Sequence, residues 1–69
     1  MTDTQKEIVL AMAEYDMIVS RVARAVHFHR NNVDYQIKRI KELYGLDARC
    51  FYDLVELVDL VNHDTDKER

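Results

Sequence analysis

Arg30 and Asn31 stand side by side, and Asp34, Tyr35 and Lys38 follow them at helical spacing, with Arg21 and Arg24 a short distance upstream. These side chains suit the edges and backbone of a nucleic-acid duplex. An arginine bridges guanine O6 and N7, an asparagine bridges adenine N6 and N7, and each good bidentate pair gives roughly 1–3 kcal/mol of discrimination. Asp34 can accept from cytosine N4, or it can repel phosphate. Tyr35 and Lys38, further along the same face, suit the sugar-phosphate backbone. Arg21 and Arg24 suit phosphates across the groove edge, contacts that orient a protein without reading sequence. Two residues have a second reading: His29 either caps the helix or joins the base readers, and Asn31 can satisfy free N–H groups at the helix start. The lesser alternative for each arginine is a solvated surface charge.

Charge is concentrated around these residues. From Arg21 to Lys41 six basic residues face one acid, a formal +5 in a chain of net −3, so the remainder carries −8. A basic block attracts phosphate locally even when the whole molecule is acidic.

Two helices and a tight turn must position such a face. Ile18, Val19, Val22, Ala23 and Val26 form the inner stripe of a helix over about 17–26, with Asp16 as its expected N-cap. His27 and Phe28 form the turn. His has easier access to left-handed backbone than a branched residue does. Val33, Ile37, Ile40 and Tyr44 recur at i, i+4, i+7 and i+11, the inner stripe of a reading helix over about 30–44. Ala23 supplies the small residue where the two helices cross. Gly45 sits where a left-handed C-cap belongs.

A helix precedes this pair and another follows it. Thr4-Gln5-Lys6-Glu7 fits a capping box and predicts a first helix ending near Glu14. Ile8, Met12 and Tyr15 share one of its faces, and Val9, Leu10 and Ala13 share another. Asp47 is the expected cap of a fourth helix over about 48–62. Its inward stripe is Phe51, Leu54, Val55, Val58 and Val61, widened by Leu57 and Leu60 to more than half the circumference. Tyr44, Phe51 and Tyr52 are expected in the core. With proline absent and Gly45 the only glycine, the composition also favours helices with short links. The expected fold is all-α: one domain over 1–69, four helices around a central helix-turn-helix, loose at 1–4 and 63–69.

The run from Ala25 to Ile40, AVHFHRNNVDYQIKRI, closed by Gly45-Leu46-Asp47, resembles the C-terminal helix-turn-helix domain of the PucR/CdaR family of bacterial regulators. His29, Arg30, Asn31, Val33, Tyr35, Arg39 and Ile40 match that family's signature, and Ile37 replaces its leucine. The resemblance runs from about Leu10 to Val61. It implies sequence-specific binding of double-stranded DNA by a cytoplasmic, nucleoid-associated transcription regulator. The domain is also similar to the Fis-type helix-turn-helix, which forms dimers. Asn32, Asp34 and Gln36 depart from the pattern and make the reading helix less basic. The family's effector-sensing domain is absent, and the initial methionine favours a small stand-alone regulator over an excised domain.

At 69 residues, a single core supplies roughly 3–5 kcal/mol, so a homodimer is the expected supplement. The wide apolar arcs of the first and fourth helices place its interface at Val9, Leu10, Leu57 and Leu60. The alternative is a domain that wraps its last helix on two sides. His27 and His29, with Cys50 and His63, lack the spacing of a structural metal site. Cys50 has no organised base beside it, so no catalytic residue, metal or cofactor is assigned. The single cysteine suits a reducing compartment, and no apolar run reaches the roughly 20 residues of a membrane span. The acidic residues Asp64, Asp66 and Glu68 form a solvated end or discourage non-specific DNA binding. Two alternative functions remain open. One is a protein-interaction module that keeps the fold and binds a larger regulator or toxin through the first and fourth helices. The other is a cofactor protein that joins DNA only beside a partner.

Overall fold

The computed structural model describes the backbone of residues 1–67 and side chains as far as 63. Its elements are α1 (Asp3–Glu14), α2 (Val19–Val26), α3 (Arg30–Tyr44) and α4 (Phe51–Lys67), with no strand among the described residues. The fold is all-α, as expected. α1 packs against each of the other three helices, α2 also packs on α3, and among the described residues α4 packs on α1 alone of the helices.

Capping sets the helix starts, and three of them differ from expectation. α1 opens at Thr2, not Thr4: the Thr2 hydroxyl accepts from the Gln5 N–H and the Gln5 side chain accepts from the Thr2 N–H, each at 3.1 Å. Both Thr2-x-x-Gln5 and Thr4-x-x-Glu7 satisfy the box pattern. The upstream register places Asp3 in the first turn, where a negative charge complements the helix dipole, and buries Gln5 in the fold. This box also holds part of the segment 1–4 that was expected to be loose. Of the other expected loose end, 63–69, residues 68 and 69 lie outside the described residues, as do the side chains of Asp64, Asp66 and Glu68.

Asp16 does not cap α2. It and Met17 both take left-handed backbone, φ 59° and 61°, and the Met17 N–H closes onto the Met12 carbonyl at 2.7 Å. A left-handed pair suits a helix end rather than a start. α2 begins only after Ile18, whose carbonyl accepts from Arg21 and Val22 at 3.0 Å. Ile18 therefore lies outside the helix and exposed, not on the inner stripe. Asp47 likewise does not open α4 at Ala48. Its carboxylate accepts from the Arg49 N–H at 2.9 Å, its own N–H donates to Asp53 at 3.0 Å, and the helix proper starts at Phe51.

The core joins Ile8, Val9 and Met12 of α1 to Val22 and Ala23 of α2, Val33, Ile37 and Ile40 of α3, and Leu54, Leu57 and Val61 of α4, with Ala48 from the link. Two residues expected at a dimer interface, Val9 and Leu57, are 0% exposed and fill this chain's own core. α4 meets one neighbour, so only one stripe of it is covered. Phe51 (60% exposed), Tyr52 (80%) and Val55 (53%) face solvent instead of the core expected for them, and Tyr44 is also exposed at the end of α3. Leu10 and Leu60 are exposed as well.

Candidate nucleic-acid interface

The turn between α2 and α3 does the positioning. His27 adopts φ 60°, ψ 37°, the left-handed conformation expected for it. The next N–H, that of Phe28, reaches back to the Ala23 carbonyl at 2.9 Å. Ala23 is buried at this closure, and its methyl side chain lets the two helices approach. Val33, Ile37 and Ile40 then seat α3 on the core with almost no exposure, which fixes the helix's rotation about its axis. The complementary face carries Arg30, Asn31, Tyr35 and Lys38, all exposed.

His29 resolves into the capping role. Its Nδ1 accepts from the Asn31 N–H at 3.1 Å, which places the ring at the N-cap. The Asn31 side chain is thereby released from capping duty. At the other end Gly45 adopts φ 71° and its N–H closes onto the Lys41 carbonyl at 2.8 Å. A Cβ there would meet nothing within 4 Å, so backbone conformation and not crowding calls for glycine.

Asn31, Asp34, Tyr35 and Lys38 line one open concavity of about 460 Å³, together with a residue that the sequence did not single out, Arg49. The Arg49 guanidinium donates from Nη2 to Asp34 Oδ1, tying the α3–α4 link to the middle of this face of α3. Asp34 is therefore neither a lone negative charge nor a carboxylate free on both oxygens. No periodicity marks Arg49. Its only sequence signal is a basic residue two positions after the turn-forming Asp47. Arg21 and Arg24 lie on α2 along a second shallow groove, with Tyr15 and Ala25, and Arg30 stands exposed at the first position of α3. Nearer the C-terminal end of α3, Arg39 pairs with Glu42 at 3.6 Å on the helix surface.

This arrangement offers hydrogen-bond donors along the exposed face of α3, with further cations on α2. No group of three His, Cys, Asp or Glu side chains is placed to hold a metal among the described residues. Cys50 lies exposed on the link before α4, and His63 sits 3.2 Å from Asp59. No described helix is long and apolar enough to cross a membrane.

A family model described as the PucR C-terminal helix-turn-helix domain matches residues 6–58. No curated protein and no solved structure matches the chain.

Proposed function

The chain belongs to the family of PucR C-terminal helix-turn-helix domains, and on that premise we propose that it binds double-stranded DNA sequence-specifically, as a transcription regulator with α3 as its reading helix. The observation that carries this reading is the exposed Arg30–Asn31–Tyr35–Lys38 face, held outward by the buried Val33–Ile37–Ile40 stripe. In a helix-turn-helix the second helix enters the major groove with its N-terminal residues at the base edges. Arg30 and Asn31 occupy that position, while Lys38, Arg21 and Arg24 suit flanking phosphates. No catalytic step is assigned to any residue. Substituting Arg30 and Lys38 together by alanine tests the reading: DNA binding is lost while helicity and melting are retained. A double variant that binds duplex as well as the parent does would refute it.

The reading extends to a homodimer, with Leu10 and Leu60 as contacts and Val9 and Leu57 withdrawn to the core. Two-fold symmetry would set the reading helices about 34 Å apart and favour an inverted repeat. Sedimentation at high concentration tests this part, and a monomer there would remove it. One observation favours a second reading, a protein-interaction module. Met12, Ala13, Asp16 and Met17 of the α1 end, with Phe51, Leu54, Val55 and Val58 of α4, form an apolar groove of about 320 Å³. Methionine-lined apolar surfaces adapt readily to partners. A chain that bound another protein there and no DNA at low salt would support that reading over the first.

A further inference from the structure

We propose that Arg49, outside the helix-turn-helix itself, is a phosphate-contacting residue of the same interface, and that Asp34 positions it instead of reading a base. The proposal rests on the DNA-binding reading above. Arg49 is the one residue of the α3–α4 link that lines the concavity on the reading face, where it faces Asn31, Tyr35 and Lys38. Its backbone is held from the N-terminal side. The preceding residue, Ala48, is fully buried, and the Arg49 N–H is held by the Asp47 carboxylate at 2.9 Å. Asp47 is itself tied to Asp53 of α4 at 3.0 Å. The side chain therefore leaves a rigid link and crosses to α3.

The chemistry favours a phosphate. A guanidinium presents five N–H donors in a planar fork, and the bond to Asp34 uses one of them. With Asp34 fixing one edge, the fork is pre-organised for a second anion, and a phosphate oxygen is the anion that lies beside a helix seated in the groove. Both side chains remain about half exposed, 53% for Arg49 and 40% for Asp34, so the pair is open to a ligand. The pair also accounts for an acid in the middle of a DNA-facing helix. Arg49 cancels the charge that would repel the backbone, and Lys38 leaves the concavity with a net positive charge. Asp34, with Oδ1 engaged, is placed to orient the arginine rather than to accept a hydrogen bond from cytosine N4.

The test is the salt dependence of binding to a mixed-sequence duplex, measured by fluorescence anisotropy for the parent, Arg49→Ala, Arg49→Lys and Arg49→Ala/Asp34→Ala, each with a thermal melt. Removing one phosphate contact makes the slope of log K against log salt shallower by about 0.9. Between about 50 and about 200 mM salt the parent should therefore lose roughly three- to fourfold more affinity than Arg49→Ala loses. Arg49→Lys should keep the parent slope, because it keeps the charge. The double variant should bind better than Arg49→Ala, because it lacks the bare carboxylate, and should keep the shallower slope. An Arg49→Ala protein with the parent slope would overturn the inference, whatever its melting temperature, since a purely structural tie between Arg49 and Asp34 moves stability and not the number of released counterions. A parent that does not bind duplex at about 50 mM salt would overturn the DNA-binding reading and this inference together.

Discussion

The α2–turn–α3 unit and α4 are both amphipathic, yet the fold treats them in opposite ways. α3 is held by α1 and α2, shows the core only its apolar stripe, and presents a polar face with excess positive charge. α4 is held by α1 alone, and leaves Phe51, Tyr52, Val55 and Leu60 in solvent beside the acids Glu56 and Asp59. One outer face carries hydrogen-bond donors and positive charge, the other exposed apolar side chains. Apolar width in a sequence therefore does not measure burial. Where the neighbouring helices lie decides which face of a helix is buried, and the excess apolar surface of α4 is a property of its outer side.

That contrast can be broken most forcefully at Leu57 and Leu60, three residues apart on α4. Leu57 is fully buried, so Leu57→Ala removes core contacts and leaves a cavity, at a cost of about 2–5 kcal/mol. In a domain this small that approaches the whole stability, and circular dichroism should show a largely unfolded chain. Leu60→Ala, on the exposed side, should stay within about 0.5 kcal/mol of the parent at concentrations where the chain is monomeric, and should cost more only where a dimer has formed. Equal losses at the two positions would mean that α4 is covered on both sides, as an obligate dimer would require.

On the reading helix, Arg30→Ala should flatten discrimination at one base position, by roughly 1–3 kcal/mol, while the fold melts as before. Binding to a panel of single-base variants of a selected site measures this. A uniform loss across the panel would move Arg30 from base reading to phosphate contact. The smallest effect is at the first helix start. Thr2→Ala should cost about 1 kcal/mol through the lost cap, and Thr4→Ala should cost almost nothing. The reverse order in thermal melts would restore the downstream capping register.

The turn and the inner face of α3 were legible because strong local rules act there without competition. The four-residue spacing from Val33 to Ile37, the single glycine at Gly45 and the histidine at the turn each had one physical reading, and the structure agrees with each. Where two local solutions were available the choice depended on surroundings. Thr2 and Thr4 both begin a capping box, and Asp16 and Asp47 both suit caps. Asp16 instead joins Met17 in a left-handed closure of α1, and Asp47 instead folds the link that carries Arg49. The inward assignments of Phe51, Val55 and Tyr44, and the outward ones of Val9 and Leu57, failed for a different reason. Periodicity fixes which residues share a face of a helix, but the positions of the other helices decide which face is covered. The pairing of Arg49 with Asp34 joins residues fifteen apart across a link, a separation at which no helical rule operates.

The most direct test of the central assignment, that the basic half of this chain is its nucleic-acid face, is fluorescence anisotropy of the intact chain against duplex DNA at about 50 and about 200 mM salt. Contacts to several phosphates predict binding at the lower salt that weakens by orders of magnitude at the higher one, in a chain whose overall charge is negative. Absence of binding at the lower salt, or binding indifferent to salt, would contradict the assignment and leave the apolar groove of α1 and α4 as the surface through which the chain acts.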